Sequence, residues 1–168
     1  MALVGACAGR PGEPAGESAA GAPPSAGAAA SATAPPEPQP VADGPCPYLD
    51  TGAVQDANGQ HIYSVRISAD KPYPACFFYR GDGKEQLRAR IVVATPKVAG
   101  ATVDAAAPVA TSDLAELPGG WSGGSQPTAD GAVFAVARGN TAIVVTTNQK
   151  QTISARKVTE MVISALRR

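Results

Sequence analysis

The chain predicts an α+β domain: a single antiparallel β-sheet of about five strands with helices packed on one face, in the order α-β-β-β-(α)-β-β-α. Three observations carry this. Short runs alternate apolar and polar residues with the two-residue period of half-buried strands. Gly81-Asp82-Gly83 and Gly139-Asn140 join neighbouring runs as hairpin turns, with no βαβ crossover between them. The C-terminal segment repeats apolar residues at helical spacing.

Taken in order, Asp50 can cap a short helix over residues 51–57, with Asn58-Gly59 as its stop. Residues 61–68 follow as a strand with one buried face, placing His61, Tyr63, Val65 and Ile67 on one side and Ile62, Ser64, Arg66 and Ser68 on the other. Residues 75–80 form a second strand rich in aromatics. Residues 86–94 form a third, with Leu87, Ala89, Ile91 and Val93 inward and Arg88 and Arg90 outward. Residues 97–107 read as a short helix, and 108–130 as a long loop rich in Pro and Gly. Residues 132–138 and 141–147 make a second hairpin. Residues 154–166 close the chain as an amphipathic helix with Ala155, Val158, Met161, Val162, Ala165 and Leu166 on one face.

The three cysteines fall as one plus two. Cys46 precedes the first helix and Cys76 lies in the second strand, so a disulfide would staple helix to sheet. The alternatives are a metal site, which two cysteines and the single histidine poorly supply, or two free buried thiols. Cys7 ends Val4-Gly5-Ala6-Cys7, which has the form of a bacterial lipobox and marks Cys7 as a lipid-attachment site. A full signal needs a basic region and an apolar stretch of roughly 7–15 residues. Either the true start lies upstream of Met1, or the tetrapeptide is a coincidence of a chain rich in small residues.

The segment after Cys7 favours the first reading. Residues 8–43 contain no Leu, Ile, Phe, Tyr, Trp or Met, and Val41 is their only bulky aliphatic residue. Such a segment buries too little apolar surface to offset its ordering entropy. It is expected to be a disordered tether with polyproline II character at Pro23-Pro24 and Pro35-Pro36. The expected organisation is therefore a signal remnant (1–7), a linker (8–43) and one domain (44–168).

The chain is neutral overall, yet the linker sets Arg10 against Glu13, Glu17, Glu37 and Asp43, a net −3, which leaves the domain at +3. That scattered excess does not point to nucleic acid, and no nucleic-acid-binding motif is present. No stretch approaches the 18 or so apolar residues of a membrane-spanning helix.

Several residues invite functional readings. Gly120-Trp121-Ser122-Gly123-Gly124 matches Gly-x-Ser-x-Gly, the hydrolase nucleophile elbow, but the motif needs a strand-to-helix turn and a downstream histidine. The single histidine, His61, lies upstream, and a structural role suits it better than catalysis. Trp121, alone among glycines on the expected loop, is either a plug over the sheet or a ligand contact. Arg66, Arg88 and Arg90 project from the face opposite the expected core. They form either a solvated sheet face or a basic patch for an acidic headgroup or wall polymer. Asn148-Gln149-Lys150-Gln151 reads as hairpin exit and helix entry.

Four segments together resemble a known family: Cys46-Pro47-Tyr48-Leu49-Asp50, Pro74 to Arg80 with Asp82-Gly83, Gly119 to Gly124, and Thr146 to Gln151. They are similar to an actinobacterial family defined as the domain of unknown function numbered twenty-twenty, over essentially residues 45–168. The resemblance implies a secreted or lipid-anchored envelope protein. It carries over no reaction and no catalytic residues. The expectation is thus a non-enzymatic, extracytoplasmic domain, lipid-anchored at the outer face of the membrane, binding an envelope ligand or protein partner without metal or cofactor. The competing expectations are a serine hydrolase using Ser122 and a structural or sensor module of the envelope.

Overall fold

The computed structural model describes residues 32–167. In chain order these are β1 (Ala42–Asp43), α1 (Thr51–Asn58), β2 (Ser64–Ile67), β3 (Cys76–Tyr79), β4 (Glu85–Val93), α2 (Pro96–Ala106), β5 (Asp113–Leu117), β6 (Trp121–Pro127), β7 (Ala132–Arg138), β8 (Thr141–Thr147) and α3 (Ile153–Leu166). All strand pairs are antiparallel. The sheet has eight strands in the order β1-β2-β3-β4-β8-β7-β6-β5, not about five. Two four-stranded meanders thus meet along β4 and β8.

The helix boundaries follow local chemistry. Asp50 Oδ1 accepts from Ala53 N at 2.9 Å, and Gly59 ends α1 at φ 68°, where only glycine is unstrained. Thr95 Oγ1 caps α2 by accepting from Val98 N at 3.3 Å, and Pro96 opens the helix, where its missing N–H has no partner to lose.

α1 and α3 pack on one face of the sheet. Val54, Val158, Val162 and Ile163 meet Phe78, Leu87, Ile91, Phe134, Val136, Ile143 and Val145 there. α2 packs on the other face, where Ala99, Val103 and Ala107 meet Val92, Val133, Ala135 and Ala142. The expectation of helices on one face is therefore corrected. The physical sign is in β7 and β8, where Val133-Phe134-Ala135-Val136 and Ala142-Ile143 are buried without interruption. A strand apolar on both sides is covered on both sides. Val93, expected inward, is instead exposed, because the sheet ends where the chain turns into α2.

Two further corrections concern segments read as irregular. Within 108–130, β5 and β6 form a hairpin through Pro118-Gly119-Gly120, with both glycines at positive φ. Glycines lower strand propensity, yet here they serve packing. A Cβ on Gly123 would meet the Ala135 carbonyl oxygen and Val103, and one on Gly124 would meet Ser112 and Ala107. β6 is bare so that α2 and its exit can lie close. The expected linker also ends early. Residues 42–43 form β1, pairing Ala42 with Ile67 and Asp43 with Arg66, and Pro38 is buried. The expected signal remnant with Cys7, and the linker up to residue 31, lie outside the described residues.

Cys46 and Cys76 are bonded, with S–S 2.07 Å and Cα atoms 5.6 Å apart. The bond joins the entry of α1 to the centre of the first meander.

Candidate functional site

Arg66, Arg88 and Arg90 lie on the face of the sheet that carries α2. Register places Arg66 and Arg88 on either side of Phe77, and Arg88 opposite Thr146 and Arg90 opposite Val144. α2 ends at Ala106 and leaves this half of the face to another cover. That cover is the segment immediately before β1. Arg88 Nη1 meets Glu37 Oε2 at 2.6 Å, and Arg90 Nη1 lies 3.8 Å from Glu37 Oε1. Arg90 Nη2 donates to two successive carbonyls, Pro35 O at 3.2 Å and Pro36 O at 2.7 Å. Arg66 Nε pairs with Asp43 Oδ1 at 3.2 Å. The basic patch exists, but each of its members meets the acidic segment that was expected to hang free.

Beside this strap lies a cleft of about 290 Å³ lined by Glu37, Arg88, Arg90, Thr128, Val144 and Thr146, with Ala106 and Val133 on its apolar side. A second hollow of about 350 Å³ shares Arg88, Thr128 and Thr146 and runs on toward Glu85, Asp130 and Asn148. Together they make one trough. Its charged groups differ in setting. The Arg90 side chain is only 12% exposed, that of Arg88 is 26% exposed, and the Arg88 guanidinium lies over the Phe77 ring at 5.8 Å. Glu85 Oε1 stands 3.4 Å from Arg88 Nε. Burial pushes the Glu85 carboxyl above its ordinary range, Arg88 opposes that, and the Glu37 charge adds to it. Two guanidinia therefore face two carboxylates, one from the trough floor and one from the strap.

A second concavity of about 470 Å³ lies between α1 and α3. Tyr48, Leu49, Ala53, Ala57, Met161 and Ala165 line it, with Asp50, Lys157 and Glu160 among its polar residues. The Tyr48 hydroxyl is already engaged, donating toward Pro74 O at 2.9 Å and Ala89 O at 3.1 Å. Burial raises its pKa far above the ordinary phenol value.

The remaining sequence candidates fall elsewhere. Trp121 is 2% exposed in the core beneath the β5–β6 hairpin, with the Arg138 guanidinium 4.9 Å from its ring, so it is the plug. Its Nε1 has no hydrogen-bond partner among the described residues. Ser122 lies within β6, paired with Glu116 and Ala137, so Gly-x-Ser-x-Gly runs along a strand rather than around an elbow. His61 is exposed, edge-on to Tyr63 at 4.7 Å. Asn148 Nδ2 donates to Gln60 Oε1 at 2.9 Å, a structural tie between the β8 exit and the α1 exit.

A buried polar chain beneath that tie has no signal in the sequence pattern. Thr147 Oγ1 donates to Asn58 Oδ1 at 2.6 Å, Asn58 Nδ2 to Gln86 Oε1 at 3.2 Å, and Gln86 Nε2 to the His61 carbonyl at 2.9 Å. Only a shift in the β3–β4 register turns Gln86 inward, and no local pattern announces it. Among the described residues, no three His, Cys, Asp or Glu side chains gather into a group that could hold a metal ion. No helix there is long and apolar enough to cross a membrane.

Comparison with known families now adds one finding. A family model described as Domain of unknown function (DUF2020) matches residues 30–168. The chain belongs to this family. The match takes in the strap as well as the sheet, so residues 35–43 are part of the DUF2020 domain rather than of a leader attached to it. No curated protein matches the chain.

Proposed function

We propose that this DUF2020 domain is a non-enzymatic binding module that works outside the cytoplasm and takes a carboxylate- or phosphate-bearing ligand of the cell envelope in the Arg88–Arg90 trough. The observation that carries the reading is the Glu37 carboxylate lying across both guanidinia at 2.6 and 3.8 Å, which is where a ligand's anion would sit. Guanidinium suits either anion, because its planar donors match two oxygens at once. The apolar wall of Ala106, Val133 and Val144 would take the body of the ligand. The Cys46–Cys76 bond supports an oxidising compartment, where such bonds persist. Cys7 would hold the protein to the outer face of the membrane, since a doubly acylated cysteine anchors stably.

The trough is tested by titrating the full chain with inorganic pyrophosphate and following the side-chain Nε–H resonances of Arg88 and Arg90. Both shift in the wild type together with the backbone amides of Thr128 and Thr146 in the trough lining, and those amide shifts are lost in the Arg88→Gln/Arg90→Gln protein. Absence of any shift at millimolar pyrophosphate rejects the trough as an anion site. Anchoring is tested by expressing the gene with its upstream codons, with and without Cys7→Ser, and fractionating the cells. A Cys7→Ser protein that stays in the membrane fraction rejects the anchor.

A further inference from the structure

We infer that the trough recognises an extended, acidic, proline-containing segment of another polypeptide, and that residues 35–38 are an occupant of the same chemistry held in cis. The inference rests on the anion reading above and narrows its ligand. The strap's contacts are of two kinds, and together they describe a peptide rather than an isolated anion. The Glu37 carboxylate engages Arg88 and Arg90, as any anion would. Arg90 also donates to two consecutive backbone carbonyls, those of Pro35 and Pro36. A phosphate also offers several acceptor oxygens, but they cluster about one atom and include no consecutive backbone carbonyls.

The match in donor count is the second argument. Pro35, Pro36 and Pro38 carry no N–H, so this segment presents carbonyls and little to donate. A guanidinium donates and never accepts. A surface of two arginines therefore suits a proline-rich backbone, whereas an ordinary strand would leave its N–H groups facing cations. Proline also fixes φ before binding, so less conformational entropy is lost on docking. Pro38 is buried while Glu37 remains largely exposed, so the segment is seated by its prolines and steered by its charge.

Covalent attachment gives the strap a high effective concentration at the trough. A segment from a partner must displace it, and weakening the strap should reveal the partner's affinity. The probe is the blocked peptide Ala-Pro-Pro-Glu-Pro-Gln. It is titrated into the full-length wild type, the Glu37→Gln protein and the Glu37→Gln/Arg88→Gln/Arg90→Gln protein. Amide shifts of Val144, Thr146 and Thr128 report binding, and the remaining amide spectrum reports that each protein is folded. The peptide is expected to bind Glu37→Gln about threefold or more tighter than wild type, the scale of one exposed ion pair. Removal of both arginines, or glycine in place of the peptide's prolines, should abolish or sharply weaken that binding. Equal affinity for wild type and Glu37→Gln, or indifference to the prolines, overturns the inference. Pyrophosphate shifts without peptide shifts overturn it while leaving the anion reading in place, and loss of both removes both. A concentration-dependent dimer of the Glu37→Gln protein without peptide would assign the trough to a second copy's strap instead, and overturn the partner assignment.

Discussion

At Gly123 the first missing side-chain atom decides how two layers approach. A Cβ there would meet the Ala135 carbonyl oxygen, which belongs to a paired strand and cannot swing aside. Gly123→Ala should therefore destabilise the domain by about 1–3 kcal/mol, as overpacking does, read as a lower urea midpoint with unchanged slope. Asn58 is the corresponding residue among polar contacts. Asn58→Ala would leave Thr147 Oγ1 and Gln86 Oε1 buried without their partner, at about 1–3 kcal/mol by the same measurement. Glu85 supplies a pH dependence. Its carboxyl is raised in the folded state, chiefly by burial, so the folded protein holds the proton more tightly than the unfolded chain. Its contribution is fully present below the ordinary glutamate pKa and is lost as pH rises through the raised value. Glu85→Gln should thus gain stability relative to wild type as pH increases across that window, in paired thermal melts. Asp50, Gly59 and Thr95 are residues whose roles are local, and two of them, Asp50 and Gly59, are legible from sequence. Gly123, Asn58 and Gln86 act through neighbours far along the chain, and local pattern does not reveal them.

Among elements, the hairpin β7–β8 lies where the sequence pattern puts it, because β-branched runs around Gly139-Asn140 state both strands and their turn. α1, α2 and α3 also match their expected spans to within a residue or two. The hairpin β5–β6 escapes a pattern reading because its signal is inverted: glycine and serine stand where strand formers are expected, to make room for α2. The second cover of the sheet has a readable sign in the continuous apolar run of β7, whereas Arg88 and Arg90 on β4 suggest an open face. Only the first sign holds, since α2 covers one part of that face and the strap covers the arginines on the other. The disulfide joins two such elements. Opening a loop of 30 residues should cost about 3–4 kcal/mol on the chain-entropy account. Cys46→Ser/Cys76→Ser should show that loss in denaturant unfolding, and adding reductant to the double variant should produce no further change.

For the whole molecule, the strap makes the N-terminal boundary of the domain a question of stability. Removing residues 1–40 would strip Arg90, buried to 12% exposure, of its Pro35, Pro36 and Glu37 contacts. An uncompensated, mostly buried charge is costly. The melting temperature should fall by more than about 5 °C, roughly 1 kcal/mol or more for a domain of this size. An unchanged melting temperature would mean the strap adds nothing to the fold. Glu37→Gln alone, which keeps the prolines and the carbonyls, should lower it less, because that carboxylate is largely exposed.

Composition and period were enough to separate a segment poor in bulky residues from a folded α+β domain, to place the helices and the β7–β8 hairpin, and to single out Cys46 with Cys76 and the three arginines. These are properties of neighbours in the chain, where side-chain spacing and turn chemistry act directly. Tertiary structure decided the number of strands, the helix on the second face and the fate of the arginines. Each depends on which distant segment comes to rest on a given surface. Pro35-Pro36-Glu37-Pro38 has too little apolar surface to hold a structure alone, and it gains one only where two guanidinia supply donors for its carbonyls and its carboxylate.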